Sequence, residues 1–200
     1  MTVNEVSVMN IAIVPIAVSG KWGAMDGEEN AKPVILSMRS AALTGMRLLS
    51  DRQPPGIVVE GDPDNTDLPL TSIRPYPDGS AWIWLRVNGP LYAKLAYQFG
   101  HELGHVVCNS WGPDAMPSRP CQWIEEALVE AFGLRGLTAL GKRWFDHPPR
   151  PYMADYARNI QPYVDETIGN FREIRDRRNL GVDSRNWFGL SRAELKRVRG

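Results

Sequence analysis

Three histidines occur in the 200 residues, and two of them, His101 and His105, bracket Glu102 in the stretch YQFGHELGHVV at residues 97–107. Side chains four apart on an α-helix lie on one face, so both imidazoles can reach a single metal ion. Glu102 falls one step round the helix. From there its carboxylate meets a water beside the ion and not the ion itself, the placement a general base requires. The chemistry this pattern points to is metal-assisted hydrolysis. A catalytic zinc takes three protein ligands and keeps one position open for water, so the two histidines need a partner. In the longer pattern HExxHxxGxxH, Cys108 stands at the glycine and Trp111 at the third histidine, so that ligand is absent from this segment. Carboxylates follow instead: QWIEEALVEAFGL at residues 122–134 carries Glu125, Glu126 and Glu130 on a helical pattern.

These groups must be held by the elements around them. Residues 81–88, AWIWLRVN, alternate with Ala81, Ile83, Leu85 and Val87 on one face and Trp82, Trp84 and Arg86 on the other, which predicts a strand. The two tryptophans either line a substrate cleft or lie under a helix. Asn88-Gly89-Pro90 ends the strand and opens the histidine helix, whose core stripe is Leu91, Leu95, Phe99, Leu103 and Val106 or Val107. Gly104 costs that helix about 1 kcal/mol relative to alanine, and a close backbone approach is what the site gains in return. A Pro-rich polar linker to Pro120 suits a loop at a cleft mouth. Residues 121–140 then resume a helix with Ile124, Ala127, Leu128 and Ala131 as its apolar stripe, and Glu125, Glu126 and Glu130 off it.

Upstream, residues 10–18 (NIAIVPIAV) read as a buried strand that Pro15 pushes toward an edge or bulge. Residues 32–49 read as an amphipathic helix with Met46 and Leu49 in its stripe, Asn30 as cap and Pro33 in the first turn. Residues 57–60 and 70–74 are short strand candidates, and Asp62, Asp64, Asn65 and Asp67 between them form a solvated turn, because the glycine and final glutamate of an EF-hand are missing. Downstream, residues 143–151 form a rigid connector. Residues 152–178 are helical in two pieces broken at Pro162, and residues 191–199 form a charged surface helix capped by Ser191.

Lys plus Arg and Asp plus Glu each number 23, so the chain has neither the charge footprint of a nucleic-acid binder nor a polybasic membrane patch. The apolar run at residues 11–18 is too short to span a bilayer, and the first ten residues lack the basic segment of a Sec signal. The expectation is a cytoplasmic protein, with export by a non-Sec route as the alternative. Cys108 and Cys121 are too few for a disulfide framework and read as free thiols or as one pair. A hydrophobic content of 43% suits one domain over residues 1–200, α/β to about residue 112 and helical from about 120.

The two motifs together resemble the gluzincins, the thermolysin and zinc-aminopeptidase group, in which HExxH is followed after roughly twenty residues by a helical Trp-x-x-Glu segment. Trp123-Ile124-Glu125-Glu126-Ala127 matches that segment. The resemblance covers residues 82–134 and departs from thermolysin in lacking the full Asn-Glu-x-x-Ser-Asp pattern. It implies an α+β, zincin-like fold in a minimal single-domain form, with a small mixed or antiparallel sheet packed on the HExxH helix and further helices C-terminal to it. It implies a Zn2+ ion held by His101, His105 and Glu126, with Glu125 as a surface neighbour and Glu130 hydrogen-bonded to a ligand histidine. The implied activity is a metallopeptidase acting on protein or peptide substrates, an endopeptidase because no aminopeptidase amine-binding motif is visible. Glu102 would carry a proton from water to the leaving amine. The oxyanion donor would come from beyond the second helix, with Tyr156 as the first choice and Tyr152, Tyr163 and His147 as alternatives. The strand at residues 81–88 would form the cleft edge on which an extended substrate pairs. A zinc amidase acting on cell-wall or other non-protein amides and a non-catalytic zincin-fold binding protein are the rival readings; the intact Glu102 favours chemistry over binding alone.

Overall fold

The computed structural model describes residues 7–9, 11, 13–23, 27–46, 48–50, 52–64, 69–87, 90–115 and 122–177. In chain order these form β1 (Ser7–Met9), β2 (Ile16–Gly20), α1 (Glu28–Leu43), β3 (Leu48–Ser50), β4 (Ile57–Gly61), β5 (Leu70–Ser72), β6 (Ala81–Leu85), α2 (Tyr92–Val107), α3 (Gln122–Asp146), a 3-10 segment (Pro151–Tyr156) and α4 (Ala157–Arg177). The class is α+β, and the main sheet is mixed. Its order is β2-β4-β6-β5, parallel across the first three strands and antiparallel at β5, while β1 and β3 pair separately. Apolar residues in alternation set the buried face: Ile16 and Val18, Ile57 and Val59, and Ala81, Ile83 and Leu85 all turn toward the helices. Helices α1 and α2 lie on that face, α3 packs on both, and α4 packs on α3. A single apolar cluster runs from Ile11 to Val164 through all these layers.

Several boundaries differ from the sequence reading. The first strand of the main sheet starts only after Pro15, where a missing amide proton removes no ladder bond, and the Pro15 carbonyl instead accepts a hydrogen bond from Ile57 N at 2.9 Å. Helix α1 begins at Glu28 behind Gly27 (φ 83°), so Asn30 and Pro33 lie inside it. It stops at Leu43, where Gly45 (φ 73°) turns the chain into β3, and Met46 is exposed. Strand β5 ends at Ser72. In α2 the stripe Leu95, Phe99, Leu103 and Val106 is buried as read, but Leu91 is half exposed. Helix α3 continues through the expected connector to Asp146, and its guanidinium Arg135 donates to the carbonyls of Ala42 (2.9 Å) and Thr44 (2.8 Å), satisfying the end of α1. Pro162 does not break α4; the change of helix type comes earlier, at the junction of the 3-10 segment with Ala157. The helix read at residues 191–199 and Cys121 lie outside the described residues. Among the described residues no helix is long and apolar enough to cross a membrane.

The largest correction concerns which face of α3 turns inward. Val129, Gly133, Gly136, Leu137, Leu140 and Trp144 are buried, whereas the expected stripe of Ile124, Ala127, Leu128 and Ala131 faces solvent. The acidic face therefore points at α2. Trp144 anchors the far half of the helix, wholly buried with its indole N–H donating to Ser37 Oγ at 2.8 Å.

Candidate metal centre

Helices α2 and α3 meet almost backbone to backbone, which brings a glutamate of one within reach of histidines on the other. A Cβ on Gly104 would stand 2.7 Å from Val129 Cβ and 3.1 Å from Val129 Cα, and one on Gly133 would stand 3.2 Å from His101 N. Neither position has room for a side chain. The close approach anticipated at Gly104 is thus present, and Gly133 supplies its counterpart on α3.

Across this contact three ligand atoms converge. His101 Nε2 lies 3.4 Å and His105 Nε2 3.6 Å from Glu126 Oε2, and the three donor atoms fall within 4.8 Å of one another. Ligand atoms placed about 2.0–2.2 Å from a tetrahedral zinc stand about 3.3–3.6 Å apart. The two histidine–glutamate edges match that spacing, and with all three donor atoms within 4.8 Å of one another the group could hold a metal ion. Two imidazoles with one carboxylate are also ligands that zinc takes in sites with an open position.

Each ring has a second carboxylate behind it. His101 Nδ1 lies 3.0 Å from Glu130 Oε2, and His105 Nδ1 lies 2.7 Å from Glu125 Oε1. An Nδ1–H donated to a carboxylate leaves Nε2 as the lone-pair nitrogen and fixes the ring plane, so both rings are set for ligation. Glu130 stands where the resemblance put it. Glu125 does not: it is no free surface charge but the partner of His105. Tyr97, one turn before His101 on the same face of α2, donates its hydroxyl to Glu130 (2.7 and 2.9 Å to the two oxygens).

Without a cation, this crowd of carboxylates holds protons on the histidines. Burial opposes a charge on either ring, but hydrogen bonds from His101 to Glu126 and Glu130, and from His105 to Glu125 and Glu126, outweigh it and raise the two pKa values to about 9 and about 10. The hydrogen bonds to His101 and His105 drive the Glu126 carboxyl well below the usual carboxylate range. At Glu125 burial pulls upward, and the bonds to His105 and Ser110 win, leaving it lowered. Burial, then the bond to Glu130, keeps the Tyr97 phenol protonated far above its ordinary range.

Glu102 is set apart from these groups. Its side chain turns toward β5, is only 4% exposed, and lies 3.0 Å from Thr71 Oγ1 through Oε2. Burial raises its pKa against the pull of the two histidines and of Thr71.

The four candidate oxyanion donors are dispersed. Tyr156 packs edge-on against Tyr92 with ring centroids 4.6 Å apart; Tyr92 precedes His101 by nine residues of α2, about 13 Å along the axis. The structure does not bring Tyr156 to the triad. Tyr152 donates to Asn30 at the start of α1, and His147 lies exposed beyond the far end of α3. Tyr163 alone connects with the site, packing edge-on against Tyr97 at 5.9 Å between centroids.

The expected cleft strand is also reassigned. β6 is paired on both sides, by β4 and by β5, so it has no free edge for a substrate; among the described residues β5 is the edge strand beside α2 and has no partner on its outer side. Trp82 and Trp84 project from the face opposite the helices, and among the described residues no helix covers them. They stack at 4.8 Å, with Tyr76 edge-on to Trp82 and the Trp82 indole donating to Glu60.

Sequence reasoning missed Tyr97, Thr71 and the engagement of Glu125. Tyr97 carried a signal, standing four residues before His101; Thr71, in a three-residue strand, carried none. Set against protein-family models, curated proteins and solved structures, the chain matches none.

Proposed function

We propose that the chain is a zinc-dependent peptidase of zincin type, His101, His105 and Glu126 holding the ion and Glu102 serving as the general base. The observation that carries this reading is the convergence of the two Nε2 atoms on Glu126 Oε2 at 3.4 and 3.6 Å, with an acid on the same helix turned aside from the cluster. Zinc bound there would supply Lewis acidity toward a carbonyl oxygen and a water. The chain supplies the rest. Glu130 and Glu125 hold the two rings in the ligating tautomer, and burial of Glu102 favours its taking up a proton, which suits a group that accepts one from water and delivers it to the leaving nitrogen. Strand β5, the edge strand beside α2 among the described residues, is where an extended chain would add to the sheet, which favours a peptide over a compact amide. Of the four candidate oxyanion donors, Tyr163 is the one that touches a residue of the centre, its ring packing on Tyr97.

The test is Glu102→Gln with metal analysis. Wild type and variant should each carry one zinc, with peptide hydrolysis reduced by about 10²- to 10⁴-fold in the variant. Equal cleavage by the two would reject the assigned base. A chain that binds no zinc would reject the centre itself, and hydrolysis confined to cell-wall amides would move the substrate class.

A further inference from the structure

The carboxylate of Glu102 meets one side-chain hydroxyl, and that hydroxyl belongs to the edge strand. Thr71 Oγ1 lies 2.9 Å from the backbone carbonyl oxygen of Glu102 and 3.0 Å from its Oε2. A hydroxyl has one proton. Only one of the two oxygens can receive it at a time, and a turn about the C–O bond of Thr71 exchanges them without stranding a buried donor. Thr71 stands opposite Ile83 in the β5–β6 register, and Ile83 is fully buried, so the threonine side chain enters the sheet face that packs on α2 while its backbone belongs to the open edge.

We infer that Thr71 is the positioning residue of the general base: it holds the Glu102 carboxylate before substrate arrives and, by turning its hydroxyl hydrogen bond to the Glu102 carbonyl oxygen, releases Oε2 when an extended substrate seats along β5. The strand that would receive the substrate and the carboxylate that would act on it are thereby one mechanical unit. This inference rests on the peptidase reading and adds to it the residue that couples substrate seating to the base.

Thr71→Val keeps the β-branched shape that suits a strand and removes only the hydroxyl; Thr71→Ser keeps the hydroxyl. With the zinc-loaded full chain and a peptide substrate, Thr71→Val should lower kcat by about 10-fold or more with KM changed less than about threefold, and Thr71→Ser should stay within about threefold of wild type. Zinc affinity should match wild type in both. Crystal structures should show the Glu102 carboxylate displaced from β5 in Thr71→Val and retained in Thr71→Ser. A wild-type kcat in Thr71→Val, a loss confined to KM, an unmoved carboxylate, or a parallel loss of zinc would each overturn the role of Thr71 while leaving the peptidase standing. A wild-type chain that binds zinc but cleaves no peptide would overturn the peptidase reading, and the role of Thr71 with it.

Discussion

In the proposed site zinc would compete with protons for His101 and His105. In the metal-free chain both rings carry protons at neutral pH, since their pKa values stand at about 9 and about 10, whereas Glu126 is already ionised. A cation needs both Nε2 lone pairs, so each binding event expels two protons and the apparent affinity changes about 100-fold per pH unit below pH 9. At pH 7 the competition at both rings holds the affinity well below that of a fully deprotonated site. Two ordinary histidines of pKa 6.5 would impose almost none of this. The assay is calorimetric zinc titration at pH 7 in buffers of different ionisation enthalpy, paired with chelator competition from pH 6 to pH 8. Two protons released per ion and an affinity rising about 10⁴-fold over that range are expected. An affinity flat with pH, or fewer than one proton released, would refute the claim that both rings hold protons in the metal-free chain.

The same contacts set the stability of the metal-free chain. The histidines bind protons more tightly folded than unfolded, so their contribution is fully present below about pH 6.5 and is lost as the pH rises through 9 and 10. Glu126 and Glu125 are lowered on folding, so their contribution is present above about pH 4.5 and fades as the pH falls. The metal-free chain should therefore be most stable between these limits. Zinc-loaded protein should lack the alkaline decline, because the ion then occupies the place of the protons.

Removing the side chains around the ion should separate ligand from support. Glu126→Ala should weaken zinc the most, while Glu125→Ala and Glu130→Ala, which loosen a ring without removing a donor, should each cost about 10- to 100-fold; a larger loss at Glu125 than at Glu126, read by chelator competition, would move the ligand by one position. Gly104→Ala places a Cβ 2.7 Å from Val129 Cβ, an overpacking worth about 1–3 kcal/mol of stability, and by prising α3 from α2 it should also weaken zinc; an alanine variant with unchanged denaturation midpoint and zinc affinity would contradict the close approach.

What the sequence hides is governed by the same contact. The HExxH helix was legible because Leu95, Phe99, Leu103 and Val106 announce its buried side by the usual three-and-four spacing, and β6 was legible because Ala81, Ile83 and Leu85 alternate. In α3 the rule points the wrong way. Its inner face at the site is Glu125, Glu126, Val129, Glu130 and Gly133, mostly carboxylate and glycine, while Ile124 and Leu128 face water. An apolar stripe marks a buried face only when burial is what holds the face in place. Here the backbone comes so near through Gly104 and Gly133 that Val129 is the one apolar side chain of this stretch of α3 that enters the contact, and the carboxylates are drawn inward by hydrogen bonds to His101 and His105. Those bonds offset the cost of desolvating charge, a compensation that exists only once α2 is folded beside α3. A helix read alone cannot display it. The position of Thr71 is hidden for a related reason: a three-residue strand acquires its meaning from its antiparallel register with β6, which places its hydroxyl against the Glu102 carboxylate, 31 residues away in the chain.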